Sequence, residues 1–195
     1  MALLNLYEIF NIIIITIFVA YVLGDFGRRR VVHTGPDYDP LAKYTSKIGF
    51  NLDNLKFAII VTAPAVVLHE LAHKFVAMAF GLNAVVEAWG FGIFLGVLLK
   101  VIGSPFLIIA PGYAAISGAA PAWVYSLTAF AGPLMNLLLW VMATLVLKYK
   151  KGLSHKAILG LGITKQLNML LFIFNMLPIP PLDGSKVIGG LFGMF

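Results

Sequence analysis

The sequence predicts an α-helical integral membrane protein with about four transmembrane spans. One span is broken near a proline-rich motif, and a re-entrant, strand-like hairpin follows the second. Three observations carry this reading. Of 195 residues, 61% are hydrophobic and 11% charged, whereas a soluble domain averages roughly 45–50% apolar and 25% charged. Four apolar stretches approach the ~20 residues that cross a bilayer as helix. One further stretch, residues 81–120, is apolar but too rich in glycine and proline to be a plain span, and the fourth of the four is interrupted by prolines.

The first stretch covers about residues 6–24. It has no basic leader and its apolar run is long, so it reads as a retained span rather than a cleaved signal. A polar loop, residues 25–56, follows with Arg28, Arg29, Arg30, Lys43, Lys47 and Lys56. Gly35-Pro36-Asp37 marks a turn there, and the middle of the loop suits short strands. The second span is residues 57–80 and the third about 121–147; the fourth starts near Ile158 and runs in two pieces to the C-terminus. The whole chain, 1–195, reads as one membrane-embedded domain with a core at about 57–190. No repeat or low-complexity tract is visible.

Residues 81–120 contain Gly90, Gly92, Gly96, Gly103, Pro105, Pro111, Gly112 and Gly118. A straight span is possible around residues 91–102. A hairpin fits better, with residues 106–110 and 113–116 as strand-like pieces around Pro111-Gly112. Non-helical backbone at membrane depth must be satisfied by protein or by a wet cavity, so such a hairpin implies a cavity beside it. In the fourth stretch, Pro178, Pro180 and Pro181 stop the helix, since each lacks a donor and restricts the residue before it. If Lys165 and Gln166 mark membrane entry, the residues up to Leu177 rise only ~18 Å, short of a ~30 Å core. The break then falls inside the bilayer with an acid, Asp183, at it, an arrangement that builds polar sites near the midplane.

The chemistry lies in His69-Glu70-Leu71-Ala72-His73, inside the second apolar run. His-Glu-x-x-His on a helix is a zinc-hydrolase motif. Residues four apart sit nearly above one another, so His69 and His73 can grip one Zn²⁺ from one face. Glu70 falls beside them as a candidate base for an attacking water. Ionisable groups at this depth cost roughly 2.5–3.5 kcal/mol each on insertion scales, and a bound metal is the natural compensation. The chain has no cysteine, which leaves His, Asp and Glu as ligands and excludes disulfides. Zinc hydrolases use three protein ligands. Asp183 is the only carboxylate after residue 87, so elimination and position both choose it as the third. It also suits a helix N-terminus, and capping and ligation can coexist. One zinc per chain is expected.

With these residues in place, the chain resembles the site-2 protease family of intramembrane zinc metalloproteases. The matching residues are His69-Glu70-Leu71-Ala72-His73, then Ala131-Gly132-Pro133-Leu134-Met135-Asn136, then Asn175, Pro178, Pro180 and Leu182-Asp183-Gly184, in that order. The resemblance implies that His69, His73 and Asp183 are zinc ligands and Glu70 the catalytic base. Asn175 would hydrogen-bond the substrate backbone or the oxyanion, and Asn136 would support the site. It also implies a hairpin after the His-Glu-x-x-His helix whose edge pairs with an unwound substrate by β-augmentation; Tyr113 is the edge residue taken to bind substrate. Many members carry further spans after Leu-Asp-Gly. Here eleven residues follow Gly184, which reads as a minimal core or as a chain cut short. The Lys148–Lys156 region is also too short for a PDZ-like insert.

The expected partners are a transmembrane-protein substrate and the lipid bilayer of a prokaryotic cell. The net charge of +6 does not imply nucleic acid, because the basic residues cluster in two connecting loops, where they meet headgroups or set topology. Lys74, Lys100 and Lys165 snorkel or pair. The positive-inside rule puts both basic loops in the cytoplasm. The resemblance instead places the hairpin, and with it the active site, nearer the cytosol; the two conflict, and the second is preferred. A metal-ion or proton transporter using the same His and Asp residues is the alternative function, and a non-catalytic scaffold a third. A transporter has no need of a base beside a ligand, and transporters usually show repeated halves.

Overall fold

The computed structural model describes residues 3–23, 52–104 and 111–193, without the side chains of residues 52–54. Four helices in it are long and apolar enough to cross a membrane. They are α1 (Leu6–Leu23), α2 (Leu52–Ala79), α4 (Ala122–Tyr149) and α5 (His155–Asn175). Between α2 and α4 lie β1 (Asn83–Ala88), α3 (Gly90–Val101) and β2 (Gly112–Ser117), and the chain closes with α6 (Asp183–Leu191).

Local chemistry sets the ends of these elements. Asn5 Oδ1 accepts from the Glu8 amide at 2.9 Å while Glu8 Oε2 accepts from the Asn5 amide at 3.0 Å, a reciprocal capping box that starts α1. Beyond the end of α2 the chain reverses through Gly81, at φ +79, a left-handed conformation that costs glycine nothing. Leu82 N–H donates to Ala77 O and Gly81 N–H to Met78 O, both at 3.0 Å. This is the Schellman arrangement. Leu82 is buried with Ala77, Ala84 and Val124, and the strand after the turn is thereby laid back against the helix.

β1 and β2 form an antiparallel pair with Ala88 opposite Gly112 and Glu87 opposite Tyr113. The expected hairpin paired residues 106–110 with 113–116. In the structure, residues 113–116 pair instead with β1, and residues 105–110 lie outside the described set. β1 has two buried alternate positions, Ala84 and Val86, a pattern too short to stand out in an apolar stretch. The possible span at 91–102 is α3, whose 12 residues rise only ~18 Å and cannot cross a ~30 Å core. The strands expected in the first loop lie outside the described residues.

The core joins Ile15, Phe18, Val19 and Val22 of α1 to Ala65 and Val66 of α2, Val86 of β1 and Leu167 of α5. α5 is capped by Ser154, whose hydroxyl accepts from the Ala157 amide at 3.2 Å. It begins ten residues before Lys165, so Lys165 lies inside the helix. Its 21 residues rise ~31 Å, enough to cross a membrane before the prolines. The chain breaks where the prolines predict, and α6 starts at Asp183.

Gly184 explains the tightness of that junction. A Cβ there would lie 2.5 Å from the Leu177 carbonyl oxygen. Backbone cannot yield as a side chain end can. Gly184→Ala is therefore expected to lower stability by about 1–3 kcal/mol, read as a lower thermal midpoint of the detergent-solubilised protein; an unchanged midpoint would mean the turn relaxes freely.

Candidate metal centre

His69 and His73 stand one helical turn apart on α2, and both are buried. α4 packs against both rings at Gly132, and Asp183 comes from the start of α6. His69 Nε2 and His73 Nε2 are 3.1 Å apart, and Asp183 Oδ2 lies 3.2 Å from the first and 3.3 Å from the second.

The other ring nitrogens decide what these three atoms can do. His69 Nδ1 is 2.7 Å from Asn136 Oδ1, and His73 Nδ1 is 2.7 Å from the Thr128 carbonyl oxygen. Asn136 spends its Nδ2 on the Ala65 carbonyl at 2.8 Å and Asn168 Oδ1 at 2.9 Å, which fixes its oxygen toward His69. Both partners are acceptors, so each imidazole donates from Nδ1 and presents a lone pair at Nε2. Two lone pairs and a carboxylate oxygen then converge, a set that only a cation satisfies. The separations fit one. Ligands ~2.0–2.1 Å from a tetrahedral zinc lie ~3.3 Å from one another. The three residues are the group of metal-ligating side chains found among the described residues.

Glu70 is buried beside the pair, and the backbone N–H of Ala114 on β2 is near enough to act on its carboxylate. Lys186 of α6 is near enough to act on it electrostatically. Asn175 ends α5 half-buried, and its side chain makes no hydrogen bond among the described residues. The Tyr113 hydroxyl donates to Glu87 Oε2 at 2.8 Å, and that carboxylate holds the phenol above its ordinary pKa. The Tyr113 backbone faces into the sheet. Val86 turns both its backbone groups away from β2, and Trp89 N–H donates to the Pro111 carbonyl. The antiparallel alternation therefore makes Glu87 and Tyr113 a bonded pair and turns Ala114 and Ile116 outward. The outward donors of β2 thus include Ala114 and Ile116 and exclude Tyr113.

A relative from Methanocaldococcus jannaschii, named "Putative zinc metalloprotease MJ0611", is 34% identical over 176 residues, covering 84% of this chain and 85% of its own. The chain belongs to that zinc metalloprotease family. A second relative, "Putative zinc metalloprotease YwhC" of Bacillus subtilis, is 30% identical over 161 residues, 73% of this chain and 72% of its own. No family model matches the chain, and no solved structure does.

Sequence reasoning missed two supports of this metalloprotease's centre. Asn168 is wholly buried and passes the Asn136 contact on to the Thr164 carbonyl at 2.8 Å. Its signal was an amide inside an apolar helix, which needs a partner. Thr128 acts through its backbone, which no side-chain motif reports. Gly132 has a contact role as well: a Cβ there would lie 2.6 Å from His73 Cε1 and 2.7 Å from His69 Cε1.

Two substitutions test this construction by elemental analysis of the purified protein. Asn136→Ala leaves His69 Nδ1 without its acceptor and should weaken zinc retention about 10–100-fold. Gly132→Ala should displace both rings and lower zinc content as well. Full zinc in both would show that α4 does not orient the histidines.

Proposed function

We propose that this zinc metalloprotease is an intramembrane endopeptidase of the site-2 protease type, cutting peptide bonds within or near transmembrane segments of membrane proteins. The observation that carries the reading is the convergence of His69, His73 and Asp183 inside helices apolar enough to cross a membrane, with Glu70 and a strand edge beside them. One zinc ion per chain is held by those three residues. α1, α2, α4 and α5 span the bilayer, and the substrate is a transmembrane protein; no nucleic acid is involved.

Zinc, when bound, supplies Lewis-acid chemistry to a water and to the scissile carbonyl. The protein's own residues do the rest. Glu70 accepts a proton from the attacking water and returns it to the leaving amine. Asn175, with its amide unengaged among the described residues, hydrogen-bonds the substrate backbone near the reacting carbonyl. Asn136 holds His69 in the tautomer that leaves Nε2 free to ligate. A substrate helix must first unwind, because its carbonyls are otherwise bonded within the helix; the outward groups of β2 then receive the extended segment. The transport alternative gives Glu70 no role.

Base and ligand separate experimentally. Glu70→Gln keeps the shape but cannot take the proton, so peptide hydrolysis should vanish while zinc stays near one per chain. Asp183→Ala should lose both, with metal affinity down about 10–100-fold or more. Equal zinc loss in the two variants would mean the roles are misassigned.

The substrate's conformation is tested with one reporter segment made in a helical and a helix-broken form. The broken form should be cut faster. Ile116→Pro removes an outward donor from β2 without touching the Ala114 contact to Glu70, and should slow cleavage of the broken form with zinc unchanged. Equal rates on the two reporters would sink the unwinding step, and an unaffected Ile116→Pro enzyme would remove β2 from the substrate path.

A further inference from the structure

The two-stranded sheet has two outer edges, and α1 closes one of them. Val86 of β1 donates its N–H to Glu8 Oε1 at 3.1 Å and accepts at its carbonyl from Asn11 Nδ2 at 3.1 Å. Glu8 and Asn11 are three residues apart on α1 and so share a face. Between them they supply Val86 with the acceptor and donor that a third strand would bring. Glu8 also pairs with Lys74 of α2, the residue after His73, while its other oxygen caps α1. Glu8, Asn11 and Lys74 are 1%, 5% and 2% exposed, so none of this is a surface contact.

The opposite edge has another character. Ala114 and Ile116 turn outward there, and Ala114 lies near enough to Glu70 to act on it. A strand added along β2 would pass the base. One added along β1 would lie three strand spacings from that position, ~14 Å.

We propose that Glu8, Asn11 and Lys74 are positioning residues of the peptidase: they block the β1 edge and tie the sheet to the ligand helix, so that an extended substrate adds only along β2. This rests on the proteolytic reading above. None of the three touches substrate. They act through Val86 and the seating of the sheet over α2.

Two double variants separate the edge contact from the charges. Glu8→Gln/Lys74→Met removes both charges, leaves no ammonium buried alone, and keeps an oxygen that accepts from Val86. Glu8→Ala/Lys74→Met removes the acceptor too. A third variant, Asn11→Leu, deletes only the donor to the Val86 carbonyl and leaves the ion pair in place. Each zinc-loaded protein in detergent is measured for amide exchange at Val86 and Glu87, for zinc content, and for kcat and KM on an unstructured peptide.

In Glu8→Ala/Lys74→Met, the Val86 amide should exchange at least about tenfold faster while the Glu87 amide, bonded within the ladder, keeps its rate. One lost hydrogen bond corresponds to a KM about five- to tenfold higher, with kcat within about twofold and zinc unchanged. Asn11→Leu should show the same rise in KM, and Glu8→Gln/Lys74→Met, which keeps the Val86 contact and loses only the tie to α2, should show a smaller one, about twofold. An unchanged Val86 exchange rate overturns the edge contact. Unchanged KM in Asn11→Leu and Glu8→Ala/Lys74→Met overturns the positioning role, as does a loss that falls on zinc and kcat together. A wild-type protein that shows the exchange pattern but hydrolyses no peptide overturns instead the proteolytic reading beneath it.

Discussion

The hydrogen bond from His69 Nδ1 to Asn136 Oδ1 is the contact on which the rest of the centre depends. It chooses the tautomer, and the tautomer makes Nε2 a lone pair rather than a donor. Without it, His69 Nε2 could donate to Asp183, and the three atoms would satisfy one another with no ion between them. The bond also explains why three helices meet here. Asn136 reaches Ala65 on α2 and Asn168 on α5, and Asn168 reaches back to Thr164, whose hydroxyl donates to the Val61 carbonyl of α2 at 3.3 Å. Each amide is buried in apolar surroundings, where an unmet donor or acceptor costs about 1–3 kcal/mol. The polar thread is therefore a packing instruction as much as a chemical one. It admits one arrangement of α2, α4 and α5.

Much of this was legible in the sequence because the relevant spacings are local. His69 and His73 are one turn apart, and helix geometry alone puts them on one face. The third member of the cluster was legible for a different reason: carboxylates are so scarce after residue 87 that elimination pointed to Asp183, which the structure brings to the histidines. The helix boundaries followed from apolar run length, and the break before Asp183 from three prolines. What failed was non-local. The partner of β2 is some thirty residues upstream, across a helix, and a six-residue strand in an apolar stretch carries little alternation. Lys74 was expected to pair or snorkel, and its partner, Glu8, lies 66 positions away. The outward donors of β2 depend on which residues bond across the sheet, a property of register. Register is set by contacts to α1 that no reading of β2 alone reveals.

The two halves of the centre use different materials. α2, α4 and α5 are joined by side-chain amides and carbonyls within long helices. Asp183 comes from a short helix whose approach is governed by backbone contacts, with Gly184 against the Leu177 carbonyl and a Cβ at Gly190 calculated to fall 2.6 Å from the Ala122 carbonyl. On one side the polar groups select the geometry; on the other the absence of side chains does.

Gly132 shows what that absence achieves. Side chains that hold ligands in place normally have slack, since rotamers wobble and packing gives by a few tenths of an ångström. A metal–ligand distance tolerates only about ±0.2 Å. At Gly132, α4 presents bare peptide to the two imidazoles, and peptide has no rotamers to explore. The rings rest on the stiffest surface a protein can offer. Where the rings meet Gly132 their tolerance is that of a helix backbone, while the Asn136 side chain still sets the tautomer of His69.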